Sequence, residues 1–163
     1  MGFGSYVIRA VLGFMTLAMV CVSMAQNTQQ DFLNAHNTPR DQVGAGAMTW
    51  NTTVAAYAQN YANKMASTCN LVHSNGPYGE NLAWSSSSTF TGTAAVNLWV
   101  DEKQYYTYST NACAAGKVCG HYTQVVWKKS IRLGCARVVC NAGGTFVICS
   151  YDPPGNYVGQ KPY

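Results

Sequence analysis

Past an almost unbroken apolar run from Ala10 to Val22, the chain settles into mixed apolar and polar positions whose spacing predicts its elements. In QQDFLNAHN, from Gln29, the residues Phe32, Leu33 and His36 share one side of a helix, which Pro39 is expected to interrupt or restart. Asn51 is a good N-cap for a second helix, in which Val54, Tyr57, Ala58, Tyr61, Ala62 and Met65 recur at helical spacing. Asn51 also heads the chain's N-x-S/T sequon, Asn-Thr-Thr, but its expected role is the helix cap. Gly, Pro, Ser and Asn crowd 74–79 and 85–88, so both stretches read as loops around a short segment, ENLAW. A third helix is expected over Thr93 to Tyr106 and a short fourth at HYTQVVW. Two strand-like runs follow, LGCARVVC and TFVICSY, separated by Asn-Ala-Gly-Gly, which is hairpin punctuation. Helices followed by strands, with no internal repeat, predict an α+β domain whose helices pack on an antiparallel sheet. The tail after Tyr151, rich in Pro, Gly and Tyr, is expected to be irregular.

The apolar run changes the picture of where the chain works. Arg9 precedes it and Ser23-Met24-Ala25 follows with small residues at cleavage positions, so residues 1–25 read as a secretory signal and the mature chain as 26–163. A membrane anchor is the competing reading, but the run is shorter than a spanning helix needs and polar residues follow it directly. The remaining length suits one domain. Cys21 lies in the signal, and Cys69, Cys113, Cys119, Cys135, Cys140 and Cys149 are left, an even number bound for an oxidising compartment. Three disulfides are expected, although spacing alone leaves all of about 15 pairings open. No C-x-x-C pair suggests a thiolate metal site. Losing Arg9 leaves nine basic against six acidic residues, a net charge of about +3 with no basic run, which argues against nucleic acid as partner.

Candidate chemistry follows from scarcity. The chain holds two glutamates, Glu80 and Glu102, and three histidines, of which His73 and His121 lie in turn-rich or helix-start contexts. Two imidazoles and a carboxylate can hold a divalent ion with a position left for water, the second carboxylate serving as outer partner or base. The alternative is a polar network that holds loops together through histidine and carboxylate pairs. Ser74 beside His73 makes no nucleophile and base pair, there is no G-x-S-x-G turn, and no Gly-rich phosphate loop occurs.

GHYTQVVWKKS (120–130) and FVICSYDPPGNY (146–157) resemble the two signature motifs of the CAP superfamily, and HSNGPYGENLAW (73–84) and LWVDEKQYY (98–106) resemble the blocks between them. The chain is therefore identified as similar to the plant pathogenesis-related class-1 branch of that superfamily. The resemblance implies a three-layer α-β-α sandwich with a central antiparallel sheet and disulfides Cys69–Cys140, Cys113–Cys119 and Cys135–Cys149. The first would close a loop of about 70 residues and stabilise the fold by roughly 4 kcal/mol on the chain-entropy estimate. It also implies a cleft lined by His73, Glu80, Glu102 and His121, with Zn²⁺ as the ion such a cleft holds in some members.

The function implied is that of a secreted, monomeric defence protein of the apoplast, not a conventional enzyme, which inhibits microbes by binding sterols or other microbial membrane lipids. The counterpart in this chain is Tyr105, Tyr106 and Tyr108 running into the Cys113 to Cys119 loop, where aromatic faces offer apolar area and a disulfide limits entropy loss. A metal-assisted hydrolase or protease using the His/Glu set is the alternative. Residues 153–163, PPGNYVGQKPY, further resemble a defence-signalling peptide released by a processing protease that cuts between Asp152 and Pro153. Docking of Tyr157 and Tyr163 against the sheet is the competing expectation for this tail.

Overall fold

A computed structural model describes residues 26–163; the signal segment and Cys21 lie outside the described residues. Helix α1 spans Gln29–Gln42, its start closed by a capping box in which Thr28 and Asp31 satisfy each other's backbone N–H groups. Strand β1 (Thr49–Trp50) leads into helix α2 (Thr52–Met65), where the Asn51 side chain accepts from the N–H of Thr53 and Val54, as its N-cap position predicts. Strand β2 (Gly79–Ser85) precedes helix α3 (Gly92–Asp101), capped by Thr91. A 3₁₀ turn (Glu102–Tyr105), the short strands β3 (Tyr106–Thr107) and β4 (Ala112–Cys113), and helix α4 (Gly120–Val125) follow. The long strands β5 (Arg132–Val139) and β6 (Thr145–Asp152) complete the domain.

The main sheet has the order β1-β5-β6-β2. Its three longer strands are antiparallel, whereas β1 adds a two-residue parallel pairing to the β5 edge. Side chains alternate across β6, so Phe146 and Ile148 enter one core while Val147, Cys149 and Tyr151 enter the other. The first core lies under α2, whose Ala58 and Ala62 present little bulk. Gly134 on β5 makes that approach possible, since a Cβ there would sit 2.1 Å from the Ala55 backbone nitrogen. On the opposite face Phe32, Val96, Trp99 and Val125 from α1, α3 and α4 close over the sheet. The result is the α-β-α sandwich, with the disulfides Cys69–Cys140, Cys113–Cys119 and Cys135–Cys149 formed as the resemblance implied.

Three local expectations need correction. Helix α1 does not break at Pro39 but runs on to Gln42. Proline forfeits one backbone bond, but the next residue, Arg40, is buried and donates to the carbonyls of Gly46, Ala45, Val125, Trp127 and Ser130 at 2.7–3.2 Å. Tertiary anchoring thus holds the final turn in helical form. The ENLAW segment is a full strand, β2, paired along its length with β6, rather than a brief stretch between loops. The third helix leaves α-geometry at Asp101 and tightens into the 3₁₀ turn, which places Glu102 where it can reach the start of α4.

Candidate functional site

The four residues singled out for metal chemistry are brought together as two pairs. Glu80, at the start of β2, accepts from the Ser74 N–H at 3.0 Å and from His73 Nδ1 at 2.7 Å. Glu102 meets His121 Nδ1 at 2.6 Å, while its other oxygen accepts from the backbone N–H of His121 at 3.0 Å and Tyr122 at 3.2 Å. That second oxygen does the work of an N-cap for α4, whose own cap residue, Cys119, offers no side-chain bond. Both imidazoles reach solvent, with side-chain exposures of 59% for His73 and 32% for His121, while Glu80 and Glu102 lie beneath them at 7% and 16%. The His121 ring stacks on Trp99 with centroids 6.4 Å apart.

The pairs are stitched through consecutive residues of β2. Next to Glu80, Asn81 is buried and donates to the His121 carbonyl at 3.0 Å and to the Tyr151 hydroxyl at 3.1 Å. Tyr151 in turn contacts His36 Nε2 at 2.9 Å, and His36 Nδ1 reaches the Phe32 carbonyl at 2.7 Å. A carbonyl can only accept, so Nδ1 carries the proton and Nε2 accepts from Tyr151. Burial pushes the His36 pKa down to about 4 and the Tyr151 phenol well above its ordinary range. Sequence periodicity placed His36 on the inner side of α1 but carried no sign of this chain, because Asn81 and Tyr151 are distant in sequence and look like ordinary strand residues.

As a metal centre, the donor chemistry fits zinc in one respect: each Nδ1 is held by a carboxylate, leaving Nε2 as the candidate ligand atom, an orientation common at histidine metal sites. Among the described residues the group whose ligand atoms all lie within 4.8 Å of one another is instead His36, Cys135 and Cys149. That group does not suit an ion, because the two sulfurs form a disulfide and both His36 nitrogens are engaged.

The aromatic loop is a small hairpin, β3 paired with β4, whose last residue Cys113 is tied by a disulfide to Cys119 at the start of α4. Tyr106 packs toward Tyr122 at 5.9 Å and bonds Asn111 through its hydroxyl at 2.6 Å, while Tyr105 lies under Lys117 Nζ at 4.7 Å. Tyr108 faces Tyr163, rings 4.5 Å apart and nearly parallel, and its hydroxyl donates to the Tyr163 carbonyl. The C-terminal tail is fastened from end to end. Ser130 Oγ donates to the Pro153 carbonyl, Gly155 N–H to Gln124, Asn156 bonds Thr123 and Gly120, Asn111 reaches the Gln160 carbonyl, and Lys128 N–H meets the Pro162 carbonyl. Tyr163 therefore docks as expected of a packed tail, but partly against the hairpin, whereas Tyr157 stays half exposed beside Trp127. Between hairpin, α4 and tail lies a cleft of about 320 Å³ lined by Tyr106, Thr123, Trp127, Tyr157, Val158 and Pro162 among others. At the junction itself, Asp152 is held by Arg132 at 2.7 Å and accepts from the Ile131 N–H at 3.1 Å.

Residues 33–151 match the profile of the Cysteine-rich secretory protein family, CAP. The chain is 58% identical over 156 residues to pathogenesis-related protein 1A of Nicotiana tabacum, covering 96% of this chain and 92% of that one. It is likewise 58% identical to pathogenesis-related protein 1 of Arabidopsis thaliana, over 96% of this chain and 95% of the relative. Among solved structures, NaASP2 with Zn²⁺ superposes with a TM-score of 0.63 at 28% identity, over 82% of this chain and 83% of that chain. Venom allergen-like protein 4 of Schistosoma mansoni shares the fold, with a TM-score of 0.66 at 24% identity over 83% and 92% of the two chains.

Proposed function

The chain belongs to the cysteine-rich secretory protein (CAP) family as a plant defence protein, and we propose that it acts outside the cell by capturing sterols or related microbial membrane lipids at the Tyr106–Cys119 hairpin. The observation that carries this reading is the cleft of about 320 Å³ between the hairpin, which a disulfide anchors to the start of α4, and its neighbours, walled by Tyr106, Trp127 and Tyr157. Its size is at the lower end of the range typical of small-molecule sites. Flat apolar rings suit such walls, and a loop already ordered by Cys113–Cys119 loses little further freedom when a ligand arrives. Three disulfides suit an oxidising, extracellular setting. Labelled ergosterol binding and growth inhibition of a sterol-dependent microbe test the reading together: absence of saturable binding by the intact mature chain overturns it.

A second reading rests on the paired imidazoles. His73 and His121 would hold a divalent ion such as Zn²⁺ through their Nε2 atoms, with Glu80 and Glu102 orienting the rings. A bound zinc supplies Lewis-acid polarisation and an acidified water, which is the chemistry of a metal-dependent hydrolase or protease. The relative of this fold described with Zn²⁺ favours testing it. Titration calorimetry with zinc and with the His73→Ala/His121→Ala double variant decides whether these rings bind the ion. A third role, compatible with the first, is release of residues 153–163 as a signalling peptide by cleavage after Asp152, where β6 ends and Pro153-Pro154 stops regular structure.

A further inference from the structure

The cleft beside the aromatic hairpin is not built by the hairpin alone. About half of the residues lining it belong to the tail after Asp152, among them Tyr157, Val158 and Pro162, and they face Tyr106, Thr123 and Trp127. The same tail covers the face of Tyr108 with Tyr163, sets Lys161 Nζ 4.4 Å from the centre of the Tyr108 ring and ties Gln160 to Asn111. One segment therefore completes the cleft and would also be lost as the released peptide.

From this we propose that the docked tail is part of the lipid site, so that ligand capture and peptide release oppose each other. The inference rests on the sterol reading above and deepens it. A protease needs an extended stretch of chain on both sides of the bond it cuts, but Asp152 is engaged with Arg132 and Ile131, and Pro153 with Ser130. The tail must undock before it is cut. A molecule seated between hairpin and tail contacts the docked form and not the undocked one, so by linkage it lowers the undocked population by the factor 1 + [L]/Kd. When closing outpaces cutting, the rate of cleavage follows that population. The reciprocal holds as well: once the tail has gone, the cleft has lost one wall and the ligand its contacts there.

The test uses the mature chain 26–163, ergosterol, and limited digestion by proteinase K, with fragments from 153–163 followed by mass spectrometry. Ergosterol at ten times its Kd is expected to slow cleavage within the tail about tenfold. A chain ending at Asp152 is expected to bind ergosterol at least tenfold more weakly than the intact one. If the shortened chain does not fold by circular dichroism, Tyr163→Ala answers in its place: loss of the stack on Tyr108 should raise tail cleavage and weaken ergosterol roughly three- to tenfold each. Equal ergosterol affinity in the intact and tail-altered chains, or cleavage unaffected by bound ergosterol, overturns the coupling and leaves the sterol reading standing. No binding by the intact chain overturns both.

Discussion

Glu102 holds His121 twice, by its imidazole Nδ1 at 2.6 Å and by its backbone N–H at 3.0 Å, so one carboxylate both orients the ring and seals the first turn of α4. A pair of this kind serves structure whether or not an ion is present. Glu80 does the same for His73 and the Ser74 N–H at the mouth of β2.

Glu102→Ala should therefore reduce stability even in metal-free protein. It strips acceptors from two backbone N–H groups and an imidazole, and about 2 kcal/mol is expected, equivalent to a fall of roughly 6–8 °C in Tm for a domain of this size. Thermal unfolding in the presence of a chelator measures it. The His73→Ala/His121→Ala variant, which leaves the backbone bonds in place, should unfold closer to the parent. A double variant less stable than Glu102→Ala would mean that the rings are primarily structural.

Acid should weaken the fold through His36. In the folded protein burial lowers its pKa to about 4, against 6.5 for the free side chain. The folded state thus holds the ring neutral where the unfolded chain would protonate it. The stability this neutral ring provides is fully present above pH 6.5 and is lost as the pH falls through about 4, a difference of roughly 3 kcal/mol. Urea unfolding at pH 7, 5 and 4 follows the loss. A His36→Gln variant should show a flatter profile over that window, and an unchanged slope would assign the acid sensitivity to other groups.

Sterol binding should follow the hairpin and ignore the imidazoles. Tyr106→Ala removes a ring from the cleft wall and Tyr108→Ala removes the ring on which Tyr163 stacks, so together they should weaken ergosterol at least tenfold, on the basis of roughly 1.5–3 kcal/mol for the lost aromatic contact and the loosened tail. The His73→Ala/His121→Ala chain should bind as the parent does. Labelled-sterol competition separates the two, and the opposite pattern would move the lipid site to the His73 and His121 pairs.

The tail's hold should be adjustable at Ser130. Its hydroxyl donates to the Pro153 carbonyl at 2.7 Å and accepts from Gln124 Nε2 at 3.1 Å. Ser130→Ala removes both bonds, and at about 1 kcal/mol the undocked fraction, and with it the rate of tail proteolysis, should rise roughly fivefold. Mass spectrometry of the digest reads this directly, and an unchanged rate would place the restraint nearer the Tyr108 and Tyr163 stack.

Much of the fold was legible locally. Asn51 and the recurring apolar face of α2 sit in adjacent positions of the chain, as do the alternating residues of β5 and β6 and the Gly-Gly turn between them, so short-range periodicity was enough to place them. The six cysteines announced three disulfides, but only the resemblance to a family chose their partners, since spacing is silent on which ends of a folded chain meet. What the tertiary structure alone decided depends on distant segments returning to one place. Pro39 stays helical because Arg40 finds carbonyls some 85–90 residues away, and Glu80 and Glu102 choose separate histidines. The tail rests on Tyr108 because β6 delivers it beside the hairpin. Periodicity records which side of an element is apolar, whereas hydrogen bonds and ring stacks between elements depend on distances of a few ångströms that exist only once the sheet and both helical layers have closed.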